Sequence, residues 1–505
     1  MAAPTPLQLT GHDLTIADVV AVARAGRPVT VDAGARERMT ASRAVIEEVV
    51  ASGATVYGVT TGFGDLADVR ISPEQTAALQ RNLVRSHAAG FGPPLPGEVV
   101  RAMLLLRANA LALGLSGIRP EVVDLLVAML NARIHPVVPS RGSVGASGDL
   151  APLAHLALVV IGEGEAESGG STMPGAEALA SAGLEPVELG AKEGLALLNG
   201  TQLMAAIGAL AVADARSLAI TADVTGAMSL EAMLGTAAAF DEALIGARPH
   251  PGQVASAARL RGLLADSAIG DSHRSSPHKV QDPYSLRCMP QVHGAVLDAL
   301  RPLEEALAVE MNAATDNPLV LADGRVVSGG NFHGEPLALA LDHARLALTA
   351  LAGISERRTA RILDVRLSGL PAFLADEPGV ESGLMLAQYA AAAAVNELKT
   401  LAHPASADSI PTSANQEDHV SMGATAALLL NDAVERTATV LAVEALCAAR
   451  GLDLRAPLIP GRGVRAAHAA VRSVVPALDG DRSPAPDIAA LTIAVREGRL
   501  AAAAG

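Results

Sequence analysis

Between residues 288 and 312 the apolar side chains Val292, Val296, Leu300, Leu303, Leu307 and Met311 recur at spacings of four, four, three, four and four. Such steps hold one stripe on a helix of 3.6 residues per turn, and Asp298, Arg301 and Glu305 fall on its other faces. Pro302 predicts a kink within that helix. Similar runs occupy roughly 335–363, 381–402 and 420–450, so long helical patterns dominate from about residue 203. Long apolar helices with few turn signals carry more apolar surface than one subunit easily covers, which predicts association. The expected fold class is therefore mainly α and homo-oligomeric. It comprises a loop-rich N-terminal region (1–202), a central long-helix bundle (203–430) and a C-terminal helical region (431–505).

The N-terminal region reads less regularly. Residues 10–55 alternate short helical patterns with polar breaks, and a short strand is expected between Leu9 and Ile16. The stretch from Gln80 to Gly92 reads as a helix end, with Ser86 and His87 in its last turn. Residues 95–135 read as two amphipathic helices broken by Gly114 to Pro120. The acidic, Gly- and Ser-rich Gly162 to Gly175 reads as a surface hairpin or loop. The apolar run of 192–202 stops at Asn199.

Charge and composition narrow the partners. A net charge of −15 disfavours nucleic acid and anionic membrane. Cys288 and Cys447 are too few for a disulfide framework, and the 13 histidines contain no H-E-x-x-H or Cys/His metal spacing. The N-terminus lacks the basic and apolar regions of a signal peptide. The charge-free run Gly194 to Ala213 has membrane-spanning length, but Asn199-Gly200-Thr201-Gln202 interrupts it; the next, Ser382 to Asn396, is shorter. A soluble, cytoplasmic protein is expected.

Chemistry concentrates between Gly142 and His155, reading G-S-V-G-A-S-G-D-L-A-P-L-A-H. On local pattern this is a Gly-rich loop entering a buried helix, with Asp149 as N-cap and Pro152 in the first turn. A covalent reading is also open. The Gly148 amide nitrogen can attack the Ala146 carbonyl carbon and close a five-membered ring, and loss of the Ser147 hydroxyl then leaves an exocyclic methylidene.

Other polar stretches stand apart from the helical patterns. Tyr57-Gly58-Val59-Thr60-Thr61-Gly62-Phe63-Gly64 is a second Gly-rich loop that lacks the ending of a phosphate loop. Gly270 to Pro283 has no apolar period and reads as a mobile lid leading into Tyr284 and Arg287. Q-D-P-Y-S-L-R-C spans 281–288, S-G-G-N-F-H spans 328–333 and N-Q-E-D-H spans 415–419. Each alone reads as a turn, cap or surface loop.

Together these motifs resemble the histidine/phenylalanine/tyrosine ammonia-lyase family over essentially the whole chain, with the histidine branch nearest. The resemblance implies that Ala146, Ser147 and Gly148 form methylidene-imidazolone (MIO), a built-in electrophile, with Asp149 assisting closure and no external cofactor. It implies Tyr284 as the base for the β-proton and Tyr57 as a second proton-transfer or amine-positioning group. A tyrosine of ordinary pKa about 10 needs a positive charge or helix N-terminus nearby to act as a base at neutral pH. Arg287 would meet the substrate carboxylate in a bidentate pair. By the same resemblance Asn199 holds the carboxylate and the MIO oxygen, Gln281 lines the pocket and Phe332 packs beside the ring.

Substrate choice rests on His87 and Glu417. The phenylalanine and tyrosine branches have apolar or His-Leu pairs where this chain has Ser86-His87, and no acid where it has N-Q-E-D. A histidine and a carboxylate suit an imidazole, whereas a buried carboxylate against a phenyl ring carries an uncompensated desolvation cost. The resemblance thus implies conversion of L-histidine to trans-urocanate and ammonia, the first step of histidine degradation, by a homotetramer with shared active sites.

Rival readings are distinguishable. The same fold acting on Phe or Tyr, or as an aminomutase, is disfavoured by residues 86, 87 and 417. A serine hydrolase using Ser147 fails the G-x-S-x-G elbow, because Asp149 stands in the last position. A non-catalytic scaffold predicts an unmodified mass, whereas a cyclised tripeptide is lighter by two waters.

Overall fold

The computed structural model describes residues 5–62, 71–72, 75–274 and 279–502. The fold is mainly α, as the periodicity predicts. The chain gathers into two compact units. The first takes Met1–Leu210, Leu303–Asp342 and Pro404–Leu428; the second takes Ala211–Pro302, His343–His403 and Leu429–Gly505.

In the first unit, strands Leu7–Leu9 and Val29–Val31 pair in parallel, with Leu7 opposite Val29, and the helix Ile16–Ala23 crosses between them. The strand expected between Leu9 and Ile16 thus lies just before that span. Residues 33–52 form one helix rather than several short ones. Asp32 caps it by accepting from the Gly34 and Ala35 amides, and Gly53 closes it in the left-handed conformation. Its buried face is only Ala35, Met39, Ser42 and Ile46. That sparse stripe at helical spacing suffices because the other faces are polar, which is why the sequence reads as broken.

The helices Gly97–Ala112 and Pro120–Asn131 occupy the span expected of two amphipathic helices. Gly97–Ala112 departs from that expectation, being buried without a break from Val99 to Ala112. Its polar side chains are tolerated because each finds a buried acceptor. Arg101 donates to Val22 O at 2.7 Å, Arg107 to Asn199 O at 2.7 Å and Asn109 to Met311 O at 2.9 Å. Strands Glu165–Ser168 and Ser171–Pro174 make the predicted hairpin, turned by Gly169-Gly170. Short helices Leu150–Val160 and Glu193–Leu198 flank the loops that carry the chemistry.

The second unit is helical throughout its described residues, except for loops. A buried ionic cluster knits it together. Glu444 accepts from Arg358 Nε at 2.5 Å, Ser355 Oγ at 2.6 Å, Ser229 Oγ at 2.8 Å and Thr225 Oγ1 at 3.0 Å. Four donors converging on one carboxylate offset the cost of burying it.

The helix Met289–Glu310 runs on through Pro302, and the run predicted at 335–363 is one helix, Glu335–Leu363. The other two predicted runs appear as Met385–Leu401 and Gly423–Asp453. Among the described residues two helices are long and apolar enough to cross a membrane, Gln202–Ala232 and Glu335–Leu363. Their apolar windows are 78% and 56% buried inside the fold, the pattern of core helices.

Candidate active site

The strand Pro139–Arg141 pairs antiparallel with Phe91–Pro94 and delivers the chain to the Gly-rich turn. There Ser147 takes φ +49° and Gly148 φ +77°. A left-handed serine costs about 1–2 kcal/mol and persists only where its surroundings hold it. Those surroundings are specific. Asn199 Nδ2 donates to Ser147 O at 2.7 Å, and Ser147 Oγ donates to Glu417 Oε1 at 3.2 Å. Gly148 bridges Gly200, and the Asp149 amide donates to Gly200 O at 2.7 Å. A β-carbon on Gly148 would lie 2.2 Å from that Gly200 oxygen, so only glycine fits.

Asp149 corrects one expectation. It precedes the helix Leu150–Val160 but makes no side-chain cap bond to it. Its Oδ2 instead accepts from the amides of Leu203 at 3.0 Å and Met204 at 3.1 Å, first-turn donors of Gln202–Ala232 that have no partner within the helix. Oδ1 accepts from Ser143 Oγ at 3.0 Å. Burial outweighs these bonds and pushes the Asp149 carboxyl up to about 7.

His87 ends the helix Thr76–His87, and its Nδ1 lies 2.9 Å from Leu83 O. A carbonyl only accepts, so Nδ1 carries the proton and Nε2 of the neutral ring is an acceptor. Burial is the largest influence on His87 and lowers its pKa, while the Leu83 carbonyl and the Glu417 charge pull the other way. Helix capping and proximity to Glu417 therefore coexist at this residue. Glu417 is itself fixed by Thr412, whose Oγ1 donates to Oε2 at 2.7 Å and whose backbone bridges that of Glu417.

Tyr57 is half-buried in a turn pinned by Thr60, which donates to Ala54 O at 2.7 Å, and by Val59, packed with Ile46, Ala191 and Val320. Phe63 and Gly64 of that motif lie outside the described residues. Phe332 is half-buried in the turn before Glu335–Leu363. The first unit thus joins Ala146, Ser147, Gly148, Asp149, Asn199, Glu417 and His87 through bonds and charge.

Gln281, Tyr284 and Arg287 form a separate group in the second unit. Gln281 is exposed, Tyr284 is 71% exposed, and the Arg287 guanidinium carbon sits 4.6 Å from the centre of the Tyr284 ring. The candidate lid is tied at its described ends. Gly270 belongs to the helix Ala268–Ser272, Lys279 donates to Met233 O at 2.9 Å and Asp282 accepts from the Thr236 amide at 2.7 Å. Residues 275–278 lie outside the description.

Residues 14–473 match the family described as aromatic amino acid lyase. The chain belongs to the aromatic amino acid lyase family. Among similar family members, histidine ammonia-lyase from Sorangium cellulosum is 55% identical over 505 residues, covering 98% of each chain. Histidine ammonia-lyase from Deinococcus radiodurans is 55% identical over 490 residues, covering 97% of this chain and 93% of its own. The structure of histidine ammonia-lyase from Trypanosoma cruzi superposes with a TM-score of 0.92 at 43% identity, covering 99% of this chain and 95% of that one. Tyrosine aminomutase from Streptomyces globisporus superposes with a TM-score of 0.93 at 38% identity, covering 99% and 98%.

Within this aromatic amino acid lyase, several site neighbours were not singled out by sequence. Ser143 lies in the Gly142–His155 stretch and Gly200 in the Asn199–Gln202 interruption, yet their residue types alone assign them no role, and Thr412 sits in a loop that offers no signal. Arg107 does offer one, as a charge inside an otherwise apolar helix, and it is bound to the Asn199 carbonyl.

Proposed function

We propose that the chain is a histidine ammonia-lyase, which removes ammonia from L-histidine to give trans-urocanate with an MIO group made from Ala146, Ser147 and Gly148. The observation that carries this reading is the left-handed Ser147 held between Asn199 and Glu417, with His87 within the field of the same carboxylate. The residues fit the group. Gly148 has no room for a β-carbon, the Ser147 carbonyl is already fixed by a donor, and a carboxyl kept near neutral pH by burial adjoins the turn.

When present, the MIO ring supplies an electrophile that makes the α-amine a better leaving group. The protein side chains do the rest. Tyr284 takes the β-proton, the C–H electron pair becomes the new Cα=Cβ bond, and the C–N bond breaks with its electrons going to the departing ammonia. Tyr57 positions the amine or returns a proton to it. Arg287 pairs with the substrate carboxylate, aided by Asn199 and Gln281, and Phe332 packs beside the ring. His87 Nε2 and the Glu417 carboxylate both accept, so together they suit the two N–H groups of a protonated imidazole, which favours histidine over phenylalanine. Asp149 serves closure of the tripeptide.

The same reading gives a cytoplasmic homotetramer with shared active sites and no added cofactor. Exposed apolar side chains in the second unit support association: Leu346 is 55%, Leu386 52% and Tyr389 63% exposed. The test offers L-His, L-Phe and L-Tyr separately to purified protein and follows ultraviolet absorbance of the conjugated acrylate. Turnover of L-His alone supports the assignment. Preference for L-Tyr, or formation of a β-amino acid, would move the chain to the lyase or aminomutase alternative.

A further inference from the structure

The mechanism above leaves one buried cation beside the tripeptide without a task. Arg107 is fully buried, and Nη1 donates to Asn199 O at 2.7 Å and to Gln202 Oε1 at 2.9 Å. Gln202 is held in turn, donating to Thr315 Oγ1 at 2.9 Å. Arg107 Nε and Nη2 have no partner among the described residues. Burial lowers its pKa to about 10, so the guanidinium stays charged at neutral pH. A guanidinium with two of its nitrogens unsatisfied is a poor device for stability alone.

Both of its bonds converge on the segment that backs the tripeptide. Asn199 holds the Ser147 carbonyl and Gly200 O accepts from the Asp149 amide. On one side a β-carbon at Gly148 would meet Gly200 O; on the other a β-carbon at Gly200 would come within 2.5 Å of Arg107 Nη1. Gly200 is thus a thin wall, with Arg107 on its far side.

We propose that Arg107 is a positioning residue for closure of the Ala146-Ser147-Gly148 ring, holding the Asn199–Gly200 backbone as the wall that keeps Ser147 and Gly148 left-handed. In that closure the Gly148 nitrogen bonds to the Ala146 carbonyl carbon. The Ala146 oxygen leaves as water with the amide hydrogens of Ser147 and Gly148. The Ser147 hydroxyl leaves as a second water with the Ser147 Cα hydrogen. The chain needs no oxidant or added reactant. This inference rests on the proposed function, because it presumes that the ring forms.

The experiment measures the intact mass of the full-length chain, with far-ultraviolet circular dichroism and a thermal melt, for wild type, Arg107→Lys and Arg107→Met. The wild type is expected to be two waters light. Arg107→Met is expected to fold with at least a tenfold smaller converted fraction. Arg107→Lys, with one nitrogen in place of a fork, is expected to convert slowly and incompletely on incubation. Leu126→Ala, a cavity elsewhere in the first unit, lowers the melting temperature yet stays fully converted, which separates positioning from general loss of stability. Full conversion of both Arg107 variants overturns the proposal. If Arg107→Met does not fold, Arg107→Lys decides, and conversion at the wild-type rate overturns it. An unmodified wild-type mass would instead remove the function reading beneath it.

Discussion

Asn199 donates to the Ser147 carbonyl through Nδ2 at 2.7 Å while the other end of the same amide, Oδ1, is buried with no partner among the described residues. An unmet buried acceptor costs about 1–3 kcal/mol. The amide is therefore held for its donor. Asn199→Ala is expected to lower kcat by about 10²–10³, the usual loss when one preorganised donor to an oxygen conjugated with the reacting centre is removed. Steady-state kinetics with L-histidine check this, and a loss under fivefold would contradict it.

Gly148→Ala tests the close approach to Gly200. The new β-carbon would lie 2.2 Å from Gly200 O at a φ of +77°. Left-handed strain of about 1–2 kcal/mol and overpacking of about 1–3 kcal/mol give roughly 2–5 kcal/mol of destabilisation. Denaturant unfolding reads this directly, and a change below 1 kcal/mol would mean that the wall moves freely.

Asp149 gives the stability a pH dependence of defined sign. Its folded carboxyl titrates near 7 rather than at the ordinary 3.8, so between those values the folded state holds a proton that the unfolded state has released. The stability this proton supplies is complete below about pH 4 and lost as the pH rises to about 7. Asp149→Asn removes that titration and keeps an oxygen for the Leu203 and Met204 amides. Urea melts between pH 5 and 8 should show a flatter slope for Asp149→Asn; an unchanged slope would assign the effect elsewhere.

The Glu417 charge acting on His87 predicts selectivity. Glu417→Gln removes a charged acceptor worth about 1.5–3 kcal/mol, so kcat/KM for L-histidine should fall roughly ten- to a hundredfold, with no matching fall for L-phenylalanine. Equal losses on both substrates would make Glu417 a structural residue of the Thr412 loop.

How much of this was legible beforehand follows from where the physics is local. Glu335–Leu363 was readable to its ends because one apolar stripe with few turn signals leaves a helix no alternative. Ala33–Ser52 was not, since a stripe of four small or medium residues is faint beside its charged faces. The tripeptide, Asn199 and Glu417 stood out as motifs. The fact that Asp149 caps a helix starting at Gln202 is invisible locally, because the amides it serves lie more than fifty residues on. The two units are equally hidden. Four of their five cuts, after residues 210, 302, 342 and 428, fall inside continuous helices, where composition does not change; the fifth, after 403, follows the end of Met385–Leu401.

The measurement closest to the central claim is the intact mass of the purified full-length chain beside Ser147→Ala, each then assayed with L-histidine. Wild type should be two waters lighter than its sequence requires and should form urocanate without any added cofactor. Ser147→Ala should keep its helical content, show no loss of the second water and be inactive. A wild-type chain of unmodified mass that still turns over L-histidine would contradict the account.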